Sequence, residues 1–103
     1  MDNSKEFQLM LDGAIASEPL TFKGFDRTKN VQDQLQEMVE LTGYRFTFYE
    51  SFSETNPKCL VWHGERHIKQ WYVEGFSMEQ LWLAFVMKEK HDKIRDGERW
   101  TSQ

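Results

Sequence analysis

The stretch FSMEQLWLAFVMKEKHDKIRDG, residues 76–97, decides the fold because it has the pattern of one long helix with a signal at each end. Ser77 is a good N-cap, and Gln80 three residues later completes a capping box. The cations of the last turns suit the negative end of the helix dipole, and Gly97 stands where a left-handed C-cap belongs. The sequence therefore predicts a helix that begins after Ser77 and ends at Gly97.

This helix has apolar residues over more than half of its circumference. One buried face follows the i, i+3, i+4, i+7 spacing, and further apolar residues widen it. The residues concerned are Met78, Leu81, Trp82, Leu83, Phe85, Val86 and Met87. Such a helix needs a broad apolar surface to pack against, and the aromatic-rich segment just upstream can form a sheet that provides it.

Composition favours a single soluble domain. The chain has 103 residues, of which 39% are hydrophobic, 15% aromatic and 29% charged, with a net charge of −4. Because Cys59 is the sole cysteine, no intrachain disulfide can form, which suits a reducing compartment. The first residues lack the pattern of a signal peptide, and no apolar run is long enough to span a bilayer. These features predict a cytoplasmic protein that does not enter the membrane.

Two helices are expected before the aromatic segment. Residues 4–16 have apolar positions at helical spacing, with Asn3 or Ser4 as cap, although Gly13 weakens the pattern. A connector over 17–28 contains Pro and Gly. A second amphipathic helix is expected over 29–42, and Gly43 is placed to cap it.

Three strands are expected between this second helix and the long one. Residues 44–52 alternate aromatic and polar side chains, residues 59–62 suit a pleated surface, and a third strand is expected over 67–73. The predicted fold is α+β, a three-stranded antiparallel meander packed against helices in the order α-α-β-β-β-α. One domain spans 1–103, made of an N-terminal helix and connector (1–28), an α-β-β-β-α core (29–97) and a tail (98–103).

The sequence holds one group of side chains that invites a metal or catalytic interpretation. Cys59, His63 and His67 follow one another at spacings of four, and a three-residue connection between strands would set the two histidines opposite each other. Zinc needs three or four ligands, and no convincing fourth is at hand. A thiol within a strand also lacks the setting of a catalytic nucleophile. We therefore expect no metal, no cofactor and no catalytic residue, with this trio as the alternative.

Aromatic and acidic side chains are the remaining candidates for function. If helices cover one face of the sheet, rings on the other face are exposed and can anchor a partner protein. If helix 4–16 covers that second face instead, the rings belong to the core of an α/β/α sandwich. The acidic outer face of helix 29–42 is a further interaction candidate, because an acidic surface can occupy a partner's basic groove. The full set is Tyr49, Trp62, Trp71, Tyr72, Asp33, Glu37 and Glu40.

Nucleic-acid binding is the alternative function. Exposed rings interleaved with cations can stack on single-stranded bases, and Arg45, Arg66 and Lys69 are the cations of the strand region. The negative net charge opposes this interpretation, because a sequence-independent grip on nucleic acid needs a basic surface.

Residues 31–90 also resemble two groups of known proteins. The α-β-β-β-α order, with a helix ending at Gly43 and Ser77 opening the last helix, is similar to that of double-stranded-RNA-binding domains. That resemblance implies RNA binding, but the family's lysine cluster at the start of the last helix is replaced here by SMEQLW. The segments GYRFTFYES and VEGFSMEQLWLAFVMK resemble small sandwich proteins encoded by phages and prophages, a likeness that implies an origin and a size class.

We therefore expect a small, acidic, non-catalytic binding module. Its partner is expected to be another protein, with a regulatory or inhibitory role. A second copy of the chain is a further possible partner, since an uncovered strand edge can pair two chains.

Overall fold

The computed structural model of the chain describes residues 4–39, 45–49, 58–63, 70–96 and 99–102, without the side chains of residues 70 and 71. The predicted α+β class and the order α-α-β-β-β-α are confirmed, and a hairpin that was not predicted follows. The elements are α1 (Lys5–Ser17), α2 (Val31–Glu37), β1 (Arg45–Tyr49), β2 (Lys58–His63), β3 (Gln70–Gly75), α3 (Met78–His91), β4 (Lys93–Asp96) and β5 (Arg99–Ser102).

Strands β1, β2 and β3 form an antiparallel meander with β2 in the centre. Thr47 pairs with Val61 and Val61 with Tyr72, so these three residues form a row across the sheet. Because side chains alternate along a strand, each row points to one face. Trp62 shows which face is inner, since its ring packs edge-on against Phe85 of α3 with centroids 4.6 Å apart.

Helix α3 is the centre of the molecule. Seven consecutive residues, 81–87, are buried, which requires neighbours all around the helix. The sheet provides them on one side, and α1, α2 and β4 pack elsewhere around the helix. The apolar residues that surround α3 are therefore covered by helices as well as by the sheet.

The start of α3 follows the predicted capping pattern with one change. Ser77 Oγ accepts a hydrogen bond from the backbone N–H of Gln80 at 3.1 Å. Gln80 Oε1 reaches back to the backbone N–H of Phe76 at 2.9 Å, one residue before the cap. A Cβ at Gly75 would lie 2.9 Å from Gln80 Cβ, so the glycine is what lets β3 pass this close to the helix start.

The predicted end of α3 at Gly97 is wrong. The helix ends at His91, and Asp92 takes the left-handed conformation with φ of 52° while its N–H donates to the Lys88 carbonyl at 3.0 Å. Aspartate is among the few residues that tolerate this conformation, so it takes the role assigned to glycine. Gly97 itself lies outside the described residues.

Residues 98–103 were expected to be a tail, and this is also wrong, because residues 99–102 form β5 in a hairpin with β4. The indole N–H of Trp100 donates to the Met10 carbonyl of α1 at 3.0 Å. Arg95 lies with its guanidinium 5.6 Å from the centre of the Trp100 ring. A Cβ at Gly13 would lie 3.3 Å from Trp100 Cδ1, which explains a glycine in the middle of α1.

The remaining elements differ from prediction mainly in their ends. Ser4 is the N-cap of α1, as expected, with its Oγ accepting from the Phe7 N–H at 3.1 Å. Helix α2 begins two residues later than predicted and ends earlier, at Glu37, with Asn30 as its N-cap. Gly43, its predicted cap, lies outside the described residues.

Candidate interaction surface

The sheet has a face that points away from α3, which we call the open face. The pairing register and the inward position of Trp62 define which residues belong to this face. Its described residues are Arg45, Thr47 and Tyr49 of β1, Cys59, Val61 and His63 of β2, and Tyr72 and Glu74 of β3. No helix among the described elements packs on this face to any extent, since α1 packs against α3 and β5. The described part of the chain is therefore not the α/β/α sandwich considered above.

Two tyrosines dominate the open face. Tyr49 is 57% exposed and Tyr72 is 63% exposed. They lie on the two outer strands and one row apart, so their Cα atoms are about 12 Å from each other. Val61 lies between them on the central strand and is only 7% exposed. The two exposed phenol rings thus flank a buried valine of the central strand.

The structure separates the other aromatic candidates from this surface. Trp62 was predicted as an interaction residue, and this is wrong, because its side chain is completely buried among the rings of the core. Trp71 pairs with Trp62 in the register, but its side chain is not described. Of the four aromatic candidates, Tyr49 and Tyr72 are the two that the structure places on an accessible surface.

The acidic candidates lie elsewhere. Asp33 and Glu37 are exposed on α2, which packs against α3 and makes no more than isolated contacts with the described strands. Glu40 lies outside the described residues. The structure therefore does not bring the acidic helix face and the two tyrosines together into one surface.

Charge on the open face is sparse and of both signs. Arg45 pairs with His63 at one end of the sheet, and Cys59 pairs with Glu74 towards the other. Of the three cations proposed for nucleic-acid binding, Arg45 is exposed on β1, whereas Arg66 and Lys69 lie outside the described residues. The described face is thus not a basic surface.

The open face offers no reactive thiol. Partial burial raises the pKa of the Cys59 thiol above its ordinary value, and the negative charge of Glu74 raises it further. The thiol is therefore protonated at neutral pH, whereas a nucleophile or a metal ligand must be a thiolate.

The metal alternative finds no support in the described geometry. Cys59 and His63 are four residues apart on one strand, so their Cα atoms are about 13 Å apart. The residue opposite His63 is Gln70, so the two histidines are not paired across the strands as the metal alternative would need. His67 lies outside the described residues, and within the described ranges no three potential ligands gather into a metal-binding group.

A polar cluster that the sequence did not reveal joins α1 and the following turn to the end of α3 and the start of β4. Lys93 Nζ donates to Glu18 Oε1 at 2.7 Å and to Ser17 Oγ at 2.6 Å. His91 Nε2 lies 2.8 Å from Thr21 Oγ1, and its Nδ1 lies 3.5 Å from Glu18 Oε2. Since about 70 residues separate the two halves, no local pattern could have predicted it.

This cluster has the residue types of a hydroxyl–imidazole–carboxylate relay, but its geometry is that of a tether. The distance from the imidazole to the carboxylate is long for a hydrogen bond, and Lys93 already occupies Glu18. The hydrogen bond from Lys93 lowers the pKa of Glu18, as do the charges of His91 and Lys93. The cluster therefore holds the ends of two helices together.

Comparisons with protein-family models, with curated proteins and with solved structures gave no match for this chain. None of the helices in the described ranges has the length and apolar character needed to cross a bilayer.

Proposed function

We propose that this chain is a non-catalytic binding protein that docks a partner protein on the open face. The observation that carries the proposal is the pair of largely exposed tyrosines, Tyr49 and Tyr72, on one face of the sheet. Tyrosine is enriched in binding hot spots because a large ring with a polar tip is ordered at little entropic cost. The opposite face of the same strands packs on α3, which gives the rings a rigid base.

A protein partner fits this surface better than a nucleic acid. Single-stranded nucleic acid needs stacking rings together with a positively charged groove. The described open face has one arginine, Arg45, and an opposing carboxylate, Glu74. The chain as a whole is negative. A face with two exposed tyrosine rings and few charges resembles the core of a protein interface, where aromatic residues are enriched and charged residues are depleted.

A regulatory or inhibitory role is part of the proposal. A small domain that covers a surface of another protein can block that surface without any chemistry of its own.

The test is capture of a partner from a bacterial lysate with matched surface variants. The bait proteins are the wild type, Tyr72→Ala, the double variant Y49A/Y72A, and Leu20→Ala as control. Leu20 is also an exposed apolar side chain, but it lies in the turn after α1 and not on a strand. Each capture is run with and without nuclease, and the retained molecules are identified by mass spectrometry.

The expected result is a protein that survives nuclease treatment and high salt, is retained by the wild type and by Leu20→Ala, and is lost by Y49A/Y72A. Tyr72→Ala alone is expected to lower retention at least tenfold, as for a hot-spot residue. Retention of the same protein by all four baits would overturn the proposal. Nucleic acid that is retained at low salt and released at high salt would instead support the alternative function.

A further inference from the structure

We propose that two copies of this chain pair through the edge of β1 to form one continuous six-stranded antiparallel sheet. Strand β1 lies at an edge of the sheet, and among the described strands it pairs with β2 alone. An edge strand presents backbone N–H and C=O groups that can pair with another strand. The pairing is made by the backbone of this edge and can be measured with the purified chain alone, so it does not depend on the partner protein proposed above.

The described residues of β1 lack the sequence features by which proteins often protect an edge. Such features are proline, lysine, a bulge or an inward-pointing charge. The strand reads RFTFY, and its five residues pair one to one with β2, which leaves no bulge. Its sole charge is Arg45, which is exposed on the open face. Phenylalanine, threonine and tyrosine favour strands, so the edge is well suited to pairing.

The sequence of β1 is complementary to itself when it is turned around. In an antiparallel pair of two copies centred on Thr47, Phe46 of each copy lies opposite Phe48 of the other. Arg45 of each copy lies opposite Tyr49 of the other. The first pair brings two rings together on the inner face, and the second allows a cation–π contact on the open face.

Exposure on β1 agrees with this register. Phe48 points to the inner face, towards the core, yet it is 40% exposed because no further strand of the described sheet lies beside it. In the paired sheet the Phe46 ring of the second copy lies beside Phe48. Phe46 already packs on Trp82 and Phe85 of α3, with ring centroids 5.5 Å away in each case. The pairing would therefore join the two cores along the inner face.

Pairing also changes the size of the open face. Three strands of five residues cover about 250 Å² in projection, given strand spacings near 4.8 Å and a rise near 3.4 Å per residue. A typical protein interface buries about 800 Å² on each partner. In the six-stranded sheet the two open faces lie side by side and present four tyrosines. The joined face is thus closer to the area that a stable complex needs.

The experiment is disulfide trapping at chosen positions of β1. The native thiol is first removed by Cys59→Ser. In that background, Thr47→Cys places a thiol on the two-fold axis, where the Cα atoms of paired residues are about 4.5–5.5 Å apart and a disulfide can form. Arg45→Cys is the matched control, because it is on the same strand and the same face but about 13 Å from its own copy in this register.

We expect Thr47→Cys to form a covalent dimer under mild oxidation, at least tenfold faster than Arg45→Cys. Sedimentation velocity of the wild type should show a monomer–dimer equilibrium that Tyr49→Arg weakens at least tenfold, because this change sets two arginines opposite each other. The exchange R45Y/Y49R should restore it. Equal cross-linking at both positions, or a monomer at all concentrations without cross-linking at position 47, would overturn the inference. Neither measurement needs the partner protein, so this failure is separate from failure of the capture experiment.

Discussion

Phe85 gives the sharpest test of the claim that α3 is the centre of the core. Its ring is completely buried, and it packs edge-on against Trp62 at 4.6 Å and against Trp82 at 5.5 Å. Replacing a buried phenylalanine by alanine loses the transfer free energy of the ring and leaves a cavity, at a cost of about 3–5 kcal/mol. Since a domain of this size has about 5–15 kcal/mol of stability in total, Phe85→Ala should lose a large part of it.

Phe76→Ala is the matched control, because Phe76 precedes the same helix and is 53% exposed. Full burial of a phenylalanine is worth about 1.5–3 kcal/mol, so a half-exposed ring should lose about 1 kcal/mol and leave no cavity. The measurement is urea unfolding followed by far-ultraviolet circular dichroism, with free energies of unfolding compared at equal m-values. If the two variants lost the same stability within about 0.5 kcal/mol, the central position of α3 would be refuted.

Two further predictions concern the parts of the structure that the sequence did not indicate. Trp100→Ala should lower the free energy of unfolding in urea by about 2–3 kcal/mol. The change removes the hydrogen bond to the Met10 carbonyl, the contact with Arg95 and the partial burial of the indole ring. If residues 99–102 were a free tail, the substitution would not change the free energy of unfolding. Glu18 has a lowered pKa in the folded state, so its contribution is present above its ordinary pKa of 4.5 and is lost as the pH falls through the folded value. Stability measured from pH 6 to pH 3 should therefore fall more steeply for the wild type than for Glu18→Gln, and parallel curves would contradict the tether.

Local patterns in the sequence were sufficient for much of the fold. The caps at Ser4 and Ser77 and the wide apolar face of α3 were predicted, because they depend on neighbouring residues. The alternation predicted over residues 44–52 agrees with the structure, where Phe46 packs on α3 and Thr47 is exposed. The same reasoning could not orient β2, because residues 59–62 are apolar at every position and alternation gives no face. Trp62 therefore stood among the interaction candidates, although its ring is buried in the core.

Long-range contacts account for the other errors. The cations of 88–95 continue the pattern of a helix end, so nothing local indicates that the chain turns at Asp92. What favours the turn is the packing of Trp100 on α1, which joins residues 90 positions apart. Gly13 appeared as a weak point in a helix until the hairpin that crosses it was known. The cluster around Lys93 and Glu18 is equally non-local.

The sequence left open whether a helix covers the second face of the sheet, and none of the described helices does so. Whether it was covered depended on where α1 packs, and an amphipathic helix can pack on any apolar surface. Its partner in the structure is α3, with β5 at its side. This placement leaves the two tyrosines on the far side of the sheet.

The measurement that tests the account most directly is hydroxyl-radical footprinting of the free protein, read by mass spectrometry at single residues. It should be made at the lowest practical concentration, so that the monomer predominates. We predict rapid modification of Tyr49 and Tyr72, and at least tenfold slower modification of Trp62, whose ring is intrinsically at least as reactive but is completely buried. Protection of both tyrosines to the level of Trp62 would show that the open face is covered, and would contradict the proposed function.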